Sequence, residues 1–170
     1  MKLQQATAAD IPLIQDLARR SWESTYVGII SNEQINYMLE EMYSKDEISK
    51  HLDNPNYHYY LIFDENNNSF EGFIGYEHGY EIETTKLHRI YLVPESKGKG
   101  FGKGALDFLK SKLSESSDKR IILNVNKENN ARKFYESQNF KVYNEMILDI
   151  GNGFVMDDYQ MEYIIHPDLT

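Results

Sequence analysis

The chain contains no cysteine and no long apolar run. Without cysteine it cannot form disulfides, thiolate metal sites or a thiol nucleophile, and the absence fits a reducing compartment. No apolar stretch approaches the roughly 18 residues that cross a membrane, and residues 1–5 lack the apolar segment of a signal peptide. We therefore expect a cytoplasmic protein that has no membrane partner.

Positive charge is also scarce. The 18 lysines and arginines stand against 27 aspartates and glutamates, which gives a formal net charge of −9. A nucleic-acid-binding protein normally presents a basic face, so we expect no nucleic acid partner. An acidic surface attracts cationic small molecules or basic peptides, although it also serves solubility alone. The length of 170 residues, 41% of them hydrophobic, suits a single domain over 1–170.

The order of the predicted elements indicates the fold class. Runs rich in aromatic and β-branched residues predict strands, and helical periodicity predicts helices. The expected strands are 2–6, 57–63, 70–80, 84–93, 120–125, 140–150 and 154–164. The expected helices are 11–21, 31–42, 45–52, 100–113 and 128–138. This order predicts an α/β (α+β) protein whose mixed, mostly antiparallel central sheet of about seven strands is flanked by helices.

A glycine-rich segment follows the predicted strand 84–93 and opens the next helix. Its glycines are Gly98, Gly100 and Gly102. Glycine permits positive φ and close backbone approach, and successive amides at a helix N-terminus form an anion site. Lysines at 97, 99 and 103 add positive charge, so a phosphate or pyrophosphate is the expected occupant, although a glycine-rich turn that binds nothing is an equal alternative for this pattern alone.

Two nucleotide-binding patterns do not fit this segment. A Walker loop ends in Gly-Lys-Ser/Thr, whereas Gly102 and Lys103 are followed by Gly104. The dinucleotide fingerprint requires a different glycine spacing near the start of its domain, and this segment lies past the middle of the chain. The sequence therefore indicates a phosphate loop of another kind.

The segment 91–102, YLVPESKGKGFG, resembles the pyrophosphate loop of the GCN5-related N-acetyltransferase (GNAT) family. That loop reads Gln/Arg-x-x-Gly-x-Gly/Ala after a strand that ends in an apolar-x-Pro segment. Lys97 replaces the usual Gln/Arg and keeps a donor near phosphate. The segment 128–140, ENNARKFYESQNF, is similar to the second family motif, with Glu128 in place of Asn and Asn139 in place of Gly.

A third element extends the resemblance toward the N-terminus. The segment 22–30, WESTYVGII, is similar to a Trp-x-x-x-Tyr stretch of this family, in particular of a bacterial subgroup that includes polyamine acetyltransferases of the PaiA type. The resemblance covers nearly the whole chain. It implies the acyl-CoA N-acyltransferase fold, acetyl-CoA as co-substrate and no metal. It also implies direct attack of an amine on the thioester within a ternary complex.

The resemblance implies roles for three sets of residues. The backbone of Ile90, Leu92 and Val93 is expected to bind the pantetheine arm, with Asn126 and Asn130 as further contacts. The pyrophosphate is expected to lie against Lys97, Gly98, Lys99, Gly100, Phe101 and Gly102. Trp22, Tyr26 and Tyr91 are candidates for the acceptor pocket, although aromatic residues are abundant in this chain.

Two catalytic residues are predicted. Tyr135, within the second motif, is the candidate general acid, because a phenol with a pKa near ~10 suits a departing thiolate. Its alternative role is a core aromatic on an amphipathic helix. His88 is the candidate base because it shares the strand alternation of Ile90 and Leu92. A histidine without catalytic function is the alternative, and Glu77, Glu81 or Glu83 could serve through water.

The leading hypothesis is an N-acetyltransferase for a small amine, with a polyamine favoured by the net acidity. One alternative is acetylation of a protein N-terminus or lysine, which requires an open groove. Another is a non-catalytic acyl-CoA sensor, suggested by the departures at Lys97, Glu128 and Asn139. The C-terminal hairpin is a candidate surface for a homodimer.

Overall fold

The computed structural model describes residues 1–165. Its helices are α1 (Ile11–Thr25), α2 (Asn32–Tyr43), α3 (Lys45–Asp53), α4 (Phe101–Lys112) and α5 (Ala131–Ser137). Its strands are β1 (Lys2–Gln5), β2 (Tyr57–Asp64), β3 (Ser69–Glu81), β4 (Thr84–Leu92), β5 (Arg120–Asn126), β6 (Lys141–Gly151) and β7 (Phe154–Ile164). Among residues 1–165, no helix is long and apolar enough to cross a membrane.

The seven strands form one sheet in the order β1-β2-β3-β4-β5-β7-β6. All neighbouring strands are antiparallel except β4 and β5, which run parallel. One apolar core packs between the sheet and α1–α3 and includes Ile14, Leu17 and Trp22. A second core packs on the opposite face and includes Leu106 and Leu109 of α4. The predicted fold class is confirmed.

The helix boundaries follow local side-chain bonds. Ser31 and Ser44 cap α2 and α3, each accepting a hydrogen bond from a backbone N–H three residues on, at 3.1 and 3.2 Å. Helix α5 begins at Ala131, three residues later than predicted. Asn126 and Asn129 accept bonds from the amides of Glu128 and Ala131, both at 2.9 Å, and these bonds stabilise a turn in place of the first helical residues.

The sheet opens between β4 and β5. Their pairing covers only Thr84 with Arg120, Thr85 with Ile121 and Lys86 with Ile122. Beyond these pairs the two strands diverge. Residues 87–92 of β4 therefore present backbone groups along this edge that no neighbouring strand takes up, which leaves a wedge-shaped gap in the middle of the sheet.

A β-bulge in β4 changes the direction of His88. Gly75 of β3 pairs with Arg89 and the next residue, Tyr76, pairs with Leu87, so His88 has no partner across the ladder. His88 stacks on Tyr57, a residue of the core under α1–α3, whereas Ile90 and Leu92 face the opposite core. The predicted shared alternation of His88 with Ile90 and Leu92 is wrong, because the bulge shifts the strand by one residue.

Candidate active site

A cavity of about 480 Å³ fills the gap between β4 and β5. Its walls come from the diverging part of β4, the glycine loop, the start of α4, β5 and α5. Twelve of the predicted site residues lie in this wall, which brings the two sequence motifs together. They are Tyr26, His88, Ile90, Tyr91, Leu92, Val93, Lys97, Gly98, Gly100, Phe101, Gly102 and Tyr135.

Four predicted site residues lie outside the cavity wall. Trp22 is only 1% exposed and packs behind Tyr26. The Asn126 side chain is engaged by the turn before α5, and Asn130 lies at the start of that helix. Lys99 points away from the cavity wall, toward the end of β2 and the start of β3, as described below. The neighbouring Asn129, which the sequence motif did not single out, lines the cavity instead.

The glycine loop owes its shape to two left-handed residues. Gly98 and Gly100 have φ of +80° and +77°, and a Cβ at either position would meet no atom within 4 Å. Backbone conformation therefore requires glycine here, and the space around the loop stays open. Gly102 differs, because a Cβ there would lie 3.2 Å from the Phe134 ring, which is tighter than ordinary van der Waals contact, so close packing of α4 on α5 favours glycine.

Ion pairs separate the lysines of this loop into two kinds. The ammonium of Lys99 lies 3.3 Å from Asp64 and 3.6 Å from Glu71, two carboxylates that are almost fully buried. Lys103 pairs with Asp107 at 2.8 Å on the surface of α4. Lys97 has no ion pair within residues 1–165 and lines the cavity. Lys99 thus fixes the loop, and Lys97 is the lysine best placed to meet an anion.

The edge of β4 supplies the other wall. Backbone groups of residues 87–92 face the gap because β5 has moved away beyond Lys86. An extended ligand that carries amides can pair with such an edge as an added strand does. The glycine loop lies at one end of the same edge, so one ligand can combine strand-like pairing with anion binding.

Tyr135 projects from α5 into the cavity wall. Its side chain is 8% exposed and packs against Phe134 and Phe140. Burial raises the pKa of the Tyr135 phenol above its ordinary value, so the hydroxyl keeps its proton at neutral pH. Within residues 1–165, no hydrogen bond engages this hydroxyl. The group is therefore a protonated donor available to a ligand.

Two further tyrosines form the wall near the end of α1. The hydroxyl oxygens of Tyr26 and Tyr91 lie 3.5 Å apart, and Trp22 packs its ring against both at centroid distances of 4.6 and 5.5 Å. Burial raises the pKa of Tyr26, and Tyr43, Asp158 and Tyr135 add to the effect. The Tyr26 hydroxyl therefore keeps its proton at neutral pH.

The bulge places His88 and Arg89 side by side. His88 Nε2 donates to Oε1 of Glu77 at 3.0 Å, which leaves Nδ1 free of protons. Burial, with the positive charges of Lys86 and Arg89, lowers the pKa of His88 to about 3. The imidazole is therefore neutral at physiological pH. A group with so low a pKa is a weak proton acceptor, so this geometry favours a hydrogen-bonding role.

The Arg89 guanidinium is buried without a carboxylate partner within residues 1–165. It donates to the Tyr59 hydroxyl and lies 4.4 Å from the centre of the Tyr43 ring. Aromatic faces attract a cation where water is excluded. Arg89 therefore holds the bulge in place and contributes the positive charge that keeps His88 neutral.

Comparisons with known proteins agree with this architecture. A profile described as acetyltransferase (GNAT) domain matches residues 27–162. A spermidine N(1)-acetyltransferase of Thermoplasma acidophilum is 26% identical over 160 residues, which covers 92% of this chain and 96% of that protein.

Two solved structures show the same fold. The PaiA N-acetyltransferase of Thermoplasma acidophilum, in complex with coenzyme A, superposes with a TM-score of 0.79 at 25% identity over 96% of this chain and 98% of that one. A spermidine N-acetyltransferase chimera from Vibrio cholerae and hSSAT superposes with a TM-score of 0.71 at 20% identity over 96% of each chain. The predicted resemblance is confirmed, and the chain belongs to the GNAT acetyltransferase family, as an acetyl-CoA-dependent acyltransferase.

Proposed function

We propose that this chain transfers the acetyl group of acetyl-CoA to a primary amine of a small acceptor, with polyamines favoured. One observation carries the proposal: a single cavity joins an open glycine loop, an unpaired strand edge and a protonated, unbonded tyrosine hydroxyl. The loop suits a pyrophosphate, the edge suits the amides of pantetheine, and Tyr135 of the second motif lines the same cavity.

The chemistry follows from these positions. The amine nitrogen attacks the thioester carbonyl directly, without a covalent enzyme intermediate, which agrees with the absence of cysteine from the chain. Holding both substrates in one cavity supplies much of the rate through proximity. As the C–S bond breaks, Tyr135 donates its proton to the departing thiolate. The backbone N–H of Leu92, on the open edge of β4, polarises the carbonyl oxygen in the same cavity, whereas the N–H of Val93 is engaged by the carbonyl of Glu71 at 2.8 Å.

The preference for a polyamine rests on the net negative charge of the chain and on its similarity to a spermidine acetyltransferase. The chain carries a formal net charge of −9, and an acidic surface concentrates polycations. The relative from Thermoplasma acidophilum is a spermidine acetyltransferase. On the face covered by α1–α3, Glu77 lies against His88 and adds negative charge to the acceptor side. Tyr26 and Tyr91 line the acceptor part of the cavity, and Trp22 holds both rings in place.

A thiol-release assay tests the proposal directly. The purified chain is mixed with acetyl-CoA and, separately, spermidine, a simple diamine, a peptide with a free N-terminus and a lysine peptide with a blocked N-terminus. Since the protein has no cysteine, all thiol detected comes from coenzyme A. We expect release with spermidine and a mono-acetylated product by mass spectrometry. Faster release with either peptide would favour a protein acetyltransferase, and tight acetyl-CoA binding without release would favour a sensor.

A further inference from the structure

The sheet face under α1 and α2 holds a carboxylate that packing does not explain. Asp158 lies on β7, is 5% exposed, and its Oδ1 is enclosed without a hydrogen-bond partner. No hydrogen bond within residues 1–165 engages its other oxygen. Burial of an unsatisfied charge lowers the stability of a fold. An amide or an apolar side chain would stabilise this position better, so the carboxylate requires another reason.

Asp158 lies on the same face of the sheet as the proposed acceptor pocket. It pairs across the sheet with Asn126, the last residue of β5, where that strand has diverged from β4. Its side chain alternates onto the same face as Met156, a residue of the core under α1 and α2. Asn124 and Val125, the residues before Asn126 on β5, line the cavity. Tyr26 also lines it, and burial raises the pKa of Tyr26 with a smaller contribution from the charge of Asp158. Asp158 is therefore not in the cavity wall itself but follows directly after its β5 part, on the face that also carries His88.

We infer that Asp158 binds the ammonium group of the acceptor and takes the proton that the nitrogen must lose before attack. The inference rests on the proposed function, because it assigns a residue to the amine of that reaction. A buried carboxylate with free oxygens is a strong partner for an ammonium ion, since the pair offsets the desolvation of both charges. Oxygen acceptors also match the three N–H donors of a primary ammonium.

The surroundings of Asp158 suit proton transfer. Burial, and then the charge of Asp157, raise its pKa from 3.8 to about 6, while Lys86 on β4 acts in the opposite direction. The partner residues on the adjacent strands, Asn126 and Met146, carry no charge. From the helices, the phenol of Tyr26 interacts with the charge of Asp158, and burial keeps that phenol protonated. Asp158 is therefore ionised at neutral pH and is a stronger base than His88.

The proton balance is complete with these groups. An ammonium substrate loses two protons in all as its nitrogen forms the new C–N bond and the C–S bond breaks. The first passes to Asp158 and from there to solvent. The second proton passes to Tyr135 and replaces the one that Tyr135 has donated to the thiolate. The products are therefore the acetamide, the thiol of coenzyme A and one proton.

Asp158→Asn tests the inference, with Asp157→Asn as the matched control. The control removes the same charge from the neighbouring residue, which is exposed and pairs with Lys127 at 2.9 Å on the other face. The measurements are kcat/KM for spermidine against pH, and calorimetric binding of acetyl-CoA and of spermidine to the coenzyme A-loaded protein. His88→Gln is compared because it removes the other candidate base.

For wild type we expect kcat/KM to rise with pH through about 6. Asp158→Asn should lower kcat/KM at neutral pH by about 100-fold or more, abolish this rise, and weaken spermidine binding while acetyl-CoA binding is kept. Asp157→Asn should keep the rise but move it to lower pH, because the charge that raises the pKa of Asp158 is gone. In His88→Gln, kcat/KM should rise over the same pH range as in wild type.

Unchanged spermidine binding in Asp158→Asn, together with an unchanged pH profile, would overturn the inference and leave the proposed function intact. The spermidine-binding measurement distinguishes a failure of the role inferred for Asp158 from a failure of the proposed acetyl transfer. A wild type that binds spermidine through Asp158 but releases no thiol would retain the ammonium site and refute acetyl transfer. A wild type that neither binds nor acetylates any amine would refute both.

Discussion

Substitution of Gly100 tests whether the open glycine loop is the anion site. Gly100 precedes α4, has φ of +77°, and a methyl group there would project into space with no atom within 4 Å. Gly153, in the turn between β6 and β7, has the same φ of +77° and the same open surroundings. Alanine at the two positions therefore imposes the same backbone change, but only Gly100 lies in the cavity wall.

The expected magnitudes follow from this matching. An L-residue in the left-handed region costs roughly 1–2 kcal/mol, so both variants should lose stability by about that amount. Gly100→Ala should in addition displace amides from the pyrophosphate. Hydrogen bonds to a charged group contribute about 1.5–3 kcal/mol, which corresponds to a rise of about 10- to 150-fold in Kd for acetyl-CoA. Gly153→Ala should leave this Kd unchanged.

The assay combines thermal unfolding with calorimetric titration of acetyl-CoA at a temperature well below both transitions. Equal losses of stability with a weakened Kd only for Gly100→Ala would support the loop as the phosphate site. If both variants bind acetyl-CoA as wild type does, the reasoning from loop geometry to pyrophosphate binding is refuted. If both weaken binding equally, the effect comes from general loss of stability and not from the loop.

Three further predictions concern single side chains. Tyr135→Phe should lower kcat by about 100-fold or more while the Kd for acetyl-CoA stays constant, and unchanged turnover would remove Tyr135 as the acid. Lys97→Met should weaken acetyl-CoA binding and reduce its salt dependence, whereas Lys99→Met should mainly lower Tm, because two buried carboxylates lose their cation. The raised pKa of Asp158 favours the protonated, folded form, so its contribution is fully present below pH 3.8 and is lost as pH rises through about 6. Asp158→Asn should therefore gain about 1–3 kcal/mol in the free energy of unfolding at neutral pH and nothing in acid, as measured by denaturant titration.

Local patterns predicted the parts of the site that are local. The glycine spacing indicated an anion loop, and the second motif indicated Tyr135; both line one cavity because the strand before the loop and the helix after β5 flank the same gap. Alternation and capping residues were enough to place the helices and strands within a few residues. The exceptions, such as the start of α5, come from side-chain bonds of single asparagines.

Other parts of the site depend on contacts between residues far apart in the sequence. The bulge at His88 arises from its pairing with β3 and from the burial of Arg89 among phenols of α2 and β2. Lys99 has carboxylate partners on β2 and β3, and no spacing rule connects them. Asp158 follows Phe154 and Met156 in the alternation of β7, and Gln160 and Glu162 continue the same face, so the sequence pattern gives no signal for it. Its missing partner becomes visible only when both faces of the sheet are assembled.

Single-turnover mixing with intact-protein mass spectrometry tests the central claim of direct acetyl transfer most directly. Protein in excess is mixed with acetyl-CoA, with and without spermidine, and thiol release is followed together with the protein mass. We predict no thiol release and an unchanged protein mass without the amine, and one equivalent of thiol with one acetylated amine when spermidine is present. A burst of thiol without amine, accompanied by an acetylated protein, would contradict direct transfer in the cavity.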